Sequence, residues 1–138
     1  MNYWLFKTEP EEFSWEMQKA RRPKGEAWSG VRNWQAARNM KAMRCGDLGF
    51  FYHTGDEKQI VGIVKVIGEY RKDPTDEAGK FGLVDVKAMR DVPKPVTLAQ
   101  CKADPKLKDM VLVKVARLSV QPVTQAEWNH ICKLGGVT

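Results

Sequence analysis

Residues 48–70 read LGFFYHTGDEKQIVGIVKVIGEY. The run Leu48–His53 is apolar and aromatic, which is typical of a strand, and the polar run Thr54–Gln59 predicts a turn. Ile60–Tyr70 then predicts a long returning strand. Because both sets of alternate positions in this strand are apolar, we expect it to be covered on both faces, at the centre of a closed or sandwiched sheet.

The N-terminal third predicts a strand and two helices. Tyr3–Lys7 reads as a short strand, which ends at Pro10 because proline cannot donate to a strand ladder. Ser14 can cap a short helix that runs to about Lys19. A longer helix is expected over about Arg32–Arg44, followed by Gly46. The residues that share its apolar face are Ala36, Met40 and Met43.

The C-terminal half predicts a mixture of strands and capped helices. Leu83–Arg90 alternates between apolar and polar residues, as a half-buried strand does. Two capping boxes, which begin at Thr97 and Thr124, each predict the start of a helix. Met110–Ala116 and Leu118–Val123 are predicted to be extended. We therefore expect one α+β domain over residues 1–138, with five or six mostly antiparallel strands and helices packed outside them.

The chain of 138 residues carries a net charge of +6, and the position of this charge is informative. Between Lys19 and Arg44, eight basic residues are opposed by a single acidic residue, Glu26. Clustered positive charge favours a phosphate backbone as partner, and a basic face that contacts only solvent explains it equally well. The candidates for phosphate contact are Arg21, Arg22, Lys24, Arg38, Lys41 and Arg44.

Composition and cysteine usage bound the class of protein. With 43% hydrophobic and 29% charged residues, the chain resembles a globular protein and not a disordered or repetitive one. No apolar stretch reaches the roughly 18 residues of a membrane span, and we expect no signal peptide. Cys45, Cys101 and Cys132 show no paired spacing. We therefore expect reduced thiols and a cytoplasmic location, or a nuclear one in a eukaryote.

Catalytic and metal sites have little support in the sequence. His53 and His130 have no cysteine or histidine at i+3 or i+4, so we expect neither a metal nor a cofactor. Cys45 or Ser119 could act as a nucleophile with His53 as base, but no nucleophile elbow, phosphate-binding glycine loop or dinucleotide fingerprint is present. Glu9 could act as a general acid or base, although a salt-bridged carboxylate is the simpler interpretation. We expect a protein that is not an enzyme.

The positions of the aromatic residues favour binding chemistry. Trp28 lies in a polar turn that contains glycine, and Tyr52 ends a strand beside His53. Aromatic rings at loops and strand ends, next to hydrogen-bonding groups, are how proteins hold an extruded nucleobase. Trp4, Trp34 and Trp128 fall within strand or helix patterns. These three are predicted to belong to the core.

Five segments, in this order, resemble the EVE domain family. The similarity extends from Tyr3 to the final helix. The segments are Lys7–Pro10, Trp28–Asn33, Gly46–His53, Val61–Val64 and Arg117–Val123.

This resemblance implies a PUA-like pseudobarrel, related to the YTH and ASCH domains, that reads a modified nucleobase. By position, Trp28 is similar to the first aromatic of the YTH cage, and Lys7-Thr8 is similar to the strand at the pocket edge. Phe81 stands where many relatives carry a second tryptophan, and phenylalanine offers less stacking area and no indole N–H. The candidates for the base pocket are Lys7, Thr8, Glu9, Trp28, Val31, Arg32, Asn33, Tyr52, His53, Phe81, Leu118, Ser119 and Gln121.

The expected partner is nucleic acid that carries a modified base, DNA more than RNA, bound by a monomer without a membrane partner. One alternative is an enzyme that acts on nucleic acid or on a modified nucleoside, as some ASCH-like proteins do. Another is a sensor of a free nucleobase. Salt separates the polymer binder from the sensor, because only phosphate contacts make affinity fall steeply with salt.

Overall fold

The computed structural model describes residues 1–137 as one mixed sheet with helices packed around it. The strands are β1 (Tyr3–Thr8), β2 (Glu26–Ala27), β3 (Leu48–His53), β4 (Gln59–Lys72), β5 (Gly82–Thr97) and β6 (Val120–Val123). The α-helices are α1 (Trp15–Ala20), α2 (Trp34–Ala42), α3 (Leu98–Ala103), α4 (Val111–Lys114) and α5 (Gln125–Leu134), with a 3-10 turn at Pro105–Leu107. The predicted α+β class is confirmed.

The strands follow the order β2-β5-β4-β3-β1-β6 across the sheet. β1 is parallel to β3, and the other strand pairs are antiparallel. The parallel pair places Thr8, at the end of β1, beside His53, at the end of β3. The backbone N–H of Thr54 then donates to the carbonyl of Thr8 at 2.9 Å. The ends of these two strands therefore form a fixed platform.

The sheet is apolar on both faces, as the pattern of residues 60–70 predicts. One face packs against α1 and α2 and includes Phe6 and Phe51; we call this cluster the first core. The other face packs against α3, α4 and α5 and includes Leu5 and Phe50; we call it the second core. Successive strand residues point to opposite faces, so Phe50 and Phe51 belong to different cores.

Side-chain caps begin four of the helices. Ser14, Asn33, Thr97 and Thr124 each accept a hydrogen bond from a backbone N–H in the first turn, and the last two complete capping boxes as predicted. Such a cap contributes about 1 kcal/mol because it satisfies a donor that the helix leaves unpaired. Within residues 1–137 no helix has the length and apolarity needed to cross a membrane.

The predicted strand over Met110–Ala116 is wrong. Val111–Lys114 forms the single-turn helix α4, in which the carbonyl of Met110 accepts from the N–H groups of Val113 and Lys114 at 3.0 and 3.1 Å. A short apolar run has no periodicity that separates a buried strand from a buried helix, and tertiary packing decides between them. Here Met110 and Leu112 are buried in the second core.

The prediction that Trp34 belongs to the core is also wrong. Trp34 is 54% exposed at the first position of α2, whereas Trp4 and Trp128 are buried as predicted. The indole of Trp34 lies against the ring of Phe81, with ring centres 4.3 Å apart. Because α2 buries Ala36, Ala37 and Met40, its first residue extends beyond the sheet and contacts the loop before β5.

Candidate functional site

A cavity of about 470 Å³ lies between the end of β1 and the turn that follows β2. We call it the Trp28 cavity. It brings together seven of the thirteen residues predicted for a base pocket: Lys7, Thr8, Glu9, Trp28, Val31, Arg32 and Ser119. It is also lined by seven residues that were not among them: Glu12, Phe13, Glu26, Ala27, Ser29, Gly30 and Thr54.

Backbone hydrogen bonds hold the walls of this cavity in place. The N–H of Lys7 donates to the carbonyl of Ser119 at 2.8 Å, and the N–H of Trp28 donates to the carbonyl of Val84 at the same distance. Gly30 then turns the chain with a φ of +84°, a conformation that glycine adopts without steric cost. The walls are therefore anchored to the sheet on both sides of the cavity.

Trp28 forms the aromatic wall of the cavity. It is 7% exposed and belongs to the first core, so it is more deeply buried than a residue in a polar turn would be expected to be. Its ring meets those of Phe6, Phe13 and Phe51 at angles of 65°, 81° and 86°, so none of these neighbours stacks parallel on it.

The indole N–H groups of the first core differ in their partners. Trp4 donates to a carboxylate oxygen of Asp47 at 3.0 Å, and Trp15 donates to Asp91 at 2.6 Å. Within residues 1–137 the indole N–H of Trp28 has no hydrogen-bond partner, although the ring lines the cavity. A buried indole N–H usually finds a partner, so this donor is available to a ligand.

A buried carboxylate holds the Trp28 turn closed. Asp73 Oδ2 accepts from the backbone N–H of Gly30 at 2.9 Å and from Arg32 Nη1 at 3.2 Å, and Asp73 Oδ1 accepts from Thr75 Oγ1 at 2.7 Å. Burial raises the pKa of Asp73, but the hydrogen bonds from Thr75, Gly30 and Arg32 outweigh burial and lower the pKa to about 2. The carboxylate is therefore ionised at neutral pH and links two loops across the cavity rim.

The guanidinium of Arg32 is already engaged within the protein. Besides Asp73, it donates to Thr75 Oγ1 at 3.1 Å and to the carbonyl of Val31 at 3.1 Å. It also lies 5.9 Å from the ring centre of Phe81, which in turn contacts Trp34. Phe81 and Trp34 do not line the Trp28 cavity, whereas Arg32, which lies against Phe81, does.

Charge on the cavity wall is of both signs. Lys7 is half-buried, its ammonium donates to the carbonyl of Ala116 at 2.7 Å, and burial lowers the pKa of this lysine. Glu9 and Glu12 bring carboxylates to the same wall, and Glu26 pairs with Arg21 at 3.2 Å. The wall can therefore both accept and donate hydrogen bonds.

Tyr52 and His53 lie outside the Trp28 cavity. Tyr52 points to the second core and lines a separate cavity with Lys7. His53 Nε2 accepts from the backbone N–H of Trp15 at 3.0 Å, so its proton is on Nδ1, which donates to Glu57 at 2.8 Å. Both nitrogen atoms are occupied, and neither is free to act as a base for Cys45 or Ser119 in this arrangement.

Asn33, Leu118 and Gln121 also lie outside the cavity, in structural positions. The side chain of Asn33 accepts from the N–H of Ala36 at 2.9 Å and caps α2. Leu118 is buried in the first core. Gln121 is buried in β6, where its amide donates to the carbonyl of Leu118 at 2.8 Å.

The first group of predicted phosphate contacts lies beside the cavity. Arg21, Arg22 and Lys24 are exposed in the loop between α1 and β2. Arg21 pairs with Glu26, and its guanidinium lies 5.8 Å from the ring centre of Phe13, so it covers two residues of the cavity wall.

The second group of predicted phosphate contacts belongs to α2 and its C-terminal end. Arg38, Lys41 and Arg44 are exposed. The ammonium of Lys41 lies 5.4 Å from the ring centre of Tyr70, and Arg44 donates to the carbonyls of Lys41 and Met43. α2 begins two residues after Arg32, but none of these three residues lines the Trp28 cavity.

Sequence reasoning overlooked Phe13 and Glu12 as wall residues. Both follow Pro10 in a turn where the N–H groups of Glu12 and Phe13 donate to the carbonyl of Glu9 at 3.0 and 2.9 Å. The carbonyl of Phe13 also accepts from Thr8 Oγ1 at 3.0 Å. The turn-forming Glu9-Pro10 pair was the available signal, since it predicts that the chain doubles back toward the strand end.

Comparison with known proteins places the chain in a family. The model of the EVE domain family matches residues 2–134. The chain belongs to this family. Human thymocyte nuclear protein 1 is 33% identical to it over an alignment of 165 residues, gaps included. The alignment covers 96% of this chain and 73% of the human protein. The expected membership is thus confirmed.

Solved structures of EVE relatives share the fold. A protein from Agrobacterium tumefaciens has a TM-score of 0.97 and 51% identity, covering 99% of this chain and 94% of its own. Human THYN1 in complex with DNA that contains 5-methylcytosine has a TM-score of 0.92 and 33% identity, covering 98% of each chain. A YTH domain from Zygosaccharomyces rouxii, in complex with N6-methyladenosine RNA, matches with a TM-score of 0.59 and 17% identity. The match covers 97% of this chain and 86% of the YTH chain. At this low identity it shows likeness of fold alone. The PUA-like fold is confirmed.

Proposed function

We propose that this EVE protein is a non-catalytic DNA-binding domain that reads a modified nucleobase flipped into the Trp28 cavity. The observation that carries the proposal is the open cavity walled by Trp28, whose ring has no parallel neighbour and whose N–H has no partner in the described chain. The complex of the related human THYN1 with 5-methylcytosine DNA supports the choice of ligand.

The size and lining of the cavity suit a single base. Its volume of about 470 Å³ falls within the roughly 300–1,000 Å³ of small-ligand sites. An extruded base that stacks on an aromatic ring gains about 1–3 kcal/mol, which offsets the few kcal/mol needed to unstack it from the duplex. Val31, buried beside Trp28, supplies an apolar surface for an added methyl group.

The carboxylates on the wall favour a base that carries an exocyclic amine. Glu9 and Glu12 can accept only, and they match the amino group of cytosine or adenine but not the carbonyl oxygen at the same place in thymine. The Trp28 N–H can donate to a ring nitrogen or carbonyl of the same base. We therefore expect modified cytosine or adenine to bind better than modified uracil.

Phosphate contacts would supply affinity without sequence information. The candidates are the exposed residues Arg21, Arg22 and Lys24 in the loop before β2, and Arg38, Lys41 and Arg44 on α2 and at its C-terminal end. Arg32 is assigned a different role in this proposal, because its guanidinium is bound to Asp73 and Thr75. It stabilises the rim instead of holding a phosphate.

The test is titration of a matched oligonucleotide panel. DNA duplexes of one sequence would carry cytosine, 5-methylcytosine, 5-hydroxymethylcytosine, adenine, N6-methyladenine or thymine at one position, with the RNA counterparts as a second panel. We expect at least one modified DNA base to bind about tenfold or more tightly than its unmodified form, which corresponds to about 1.4 kcal/mol. Equal affinity across the whole panel would contradict the proposal.

The acidic residues on the rim favour one second candidate, a sensor of a free nucleobase or nucleoside. Carboxylates repel a polyanion but not a neutral base. A polymer reader loses affinity steeply with salt, whereas a free-base sensor is nearly insensitive to it.

Mass spectrometry of the oligonucleotides recovered from the titration tests the enzymatic alternative. A reader returns the oligonucleotides unchanged, whereas an enzyme alters them.

A further inference from the structure

A second cavity, of about 300 Å³, lies on the other side of Lys7. It is formed by the end of β3, the turn that follows β3, α3 and the segment from α4 to Ala116. We call it the Tyr52 cavity. It shares Lys7 and Thr54 with the Trp28 cavity, so the two adjoin at these residues.

The hydroxyl of Tyr52 has no partner in the described part of the chain. Tyr52 is 3% exposed and lines this cavity, and its hydroxyl makes no hydrogen bond to any residue in 1–137. Buried tyrosine hydroxyls normally find a partner. Burial also raises the pKa of Tyr52 to about 12, so the hydroxyl remains a hydrogen-bond donor at neutral pH. Because Tyr52 lines the cavity, a ligand bound there can supply the acceptor.

Positive charge surrounds this donor. The lysines that line the cavity are Lys7, Lys58 and Lys102, and no acidic side chain of the described residues lines it. None of the three makes a salt bridge within residues 1–137, and the Lys7 ammonium lies 5.7 Å from the ring centre of Tyr52. Three ammonium groups without a carboxylate partner and one hydroxyl donor form a site for an anion with several acceptor oxygens.

The remaining wall is apolar. Leu98, Leu112 and Val113 line the cavity, and Leu112 belongs to the second core. An isolated inorganic anion gains nothing from such a wall, whereas an anion attached to a sugar or a base buries apolar surface against it. The shape and the chemistry thus indicate an anion that is part of a larger organic group.

We propose that the Tyr52 cavity binds a phosphate group attached to a nucleoside, held by Lys58, Lys102 and the Tyr52 hydroxyl. The phosphate has two possible sources. It is either the backbone phosphate next to the base in the Trp28 cavity, which rests on the proposed function, or the terminal phosphate of a free mononucleotide. Lys7 lies between the two cavities and faces the ligand of each.

The first arm of the test uses small molecules. Cytidine 5′-monophosphate and cytidine are titrated into the wild-type protein, the variant Lys58→Gln/Lys102→Gln, and Tyr52→Phe, with backbone and Tyr52 ring signals followed by NMR. Lys108→Gln is the control, because Lys108 is exposed and does not line the cavity. We expect the monophosphate to shift the NMR signals of Leu112 and Val113. Its affinity should be about tenfold weaker in the double variant, which is the size expected when hydrogen bonds to a charged group are removed.

The second arm uses the oligonucleotide that the wild-type protein prefers, with a neutral methylphosphonate at each linkage next to the modified base in turn. If the phosphate comes from the backbone, one neutral linkage weakens wild-type binding and has no further effect in the Lys58→Gln/Lys102→Gln variant.

The outcomes separate this inference from the proposed function. Loss of affinity in the double variant with unchanged preference for the modified base supports the phosphate site, whichever arm shows it. If neither the monophosphate nor the oligonucleotide responds to Lys58→Gln/Lys102→Gln or to Tyr52→Phe, the phosphate site is wrong even where the base preference holds. Absence of any base preference, with monophosphate binding intact, contradicts the proposed function alone.

Discussion

Trp28 and Trp128 are buried to the same extent, at 7% and 6% exposed, but their rings have different neighbours. Trp128 on α5 is stacked on Phe50, with ring centres 3.9 Å apart, and on Tyr3 at 4.6 Å. Trp28 meets its aromatic neighbours at steep angles and lines a cavity. Burial alone therefore does not distinguish a core tryptophan from a binding tryptophan. The difference lies in whether parallel aromatic neighbours already cover the ring and whether the ring lines a cavity.

Alanine substitution of either tryptophan is expected to produce the largest effect, a loss of folding stability. Trp128→Ala and Trp28→Ala should each lower the free energy of unfolding by about 3–5 kcal/mol, because each removes a buried ring from one of the two cores. Urea unfolding measures this. A Trp28→Ala protein as stable as wild type would show that the packing of Trp28 against Phe6 and Phe51 contributes little, and the comparison of burial would fail.

As the pH falls, the structure around Trp28 should lose stability before the structure around Trp128. The folded-state pKa of Asp73 is lowered from 3.8 to about 2, so its stabilisation is complete above pH 4 and is lost as the pH falls toward 2. The shift corresponds to about 2 kcal/mol, and Asp73→Asn should remove most of it at neutral pH. Asp109→Asn is the control, because its ion pair with Lys114 is exposed to solvent and contributes little to stability.

Hydrogen exchange reports which region responds. At pH 2, we expect the backbone N–H of Gly30, which donates to Asp73, to lose protection while α5 around Trp128 keeps its protection. Equal loss in both regions, or identical acid unfolding of Asp73→Asn and the wild-type protein, would mean that Asp73 does not hold the Trp28 turn.

Phenylalanine substitution should separate binding from stability. Trp28→Phe keeps an aromatic surface but loses area and the N–H donor, so affinity for the preferred modified oligonucleotide should fall by about 1 kcal/mol, roughly fivefold. Its preference over the unmodified form should fall with it. Trp128→Phe is the matched control, which should lose stability without losing preference. Comparable binding losses in both variants would show that the effect is one of stability.

Charge reversal should change the salt dependence of binding and leave base preference unaltered. Arg38→Glu/Lys41→Glu should weaken binding about equally for modified and unmodified DNA. It should also reduce the slope of log affinity against log salt by about 0.9 for each phosphate that the protein no longer neutralises. Lys133→Glu is the control, because Lys133 lies on α5, the helix that carries Trp128. An unchanged slope in the double variant would mean that α2 presents only a solvated basic face.

Much of the fold is predictable from local pattern. The two-sided apolar run of residues 60–70 predicts a central strand because only a strand covered on both faces has no polar side. The caps at Ser14, Thr97 and Thr124 are likewise local chemistry. The segment Met110–Ala116 was not predictable in this way, since its conformation depends on packing in the second core.

The candidate site is predictable only in part, because it joins distant segments. The motif around Trp28 and the strand end at Thr8 carry a local signal. Tyr52 shows how far the local signal goes. It is next to Phe51 in β3, and the alternation of side chains along a strand requires the two rings to lie on opposite faces of the sheet. Which face contains the Trp28 cavity depends on the sheet order, which the sequence does not contain.

The most direct test follows the indole N–H signals of the five tryptophans in ¹H–¹⁵N NMR spectra, with Trp28 assigned from Trp28→Phe. Trp4 and Trp15 serve as internal controls because they already donate to Asp47 and Asp91. We predict that saturating 5-methylcytosine DNA, or the modified DNA that the panel identifies, shifts the Trp28 signal strongly, that unmodified DNA shifts it far less, and that the Trp4 and Trp15 signals stay in place. A Trp28 signal that does not move while the protein is saturated with its preferred DNA would contradict the account.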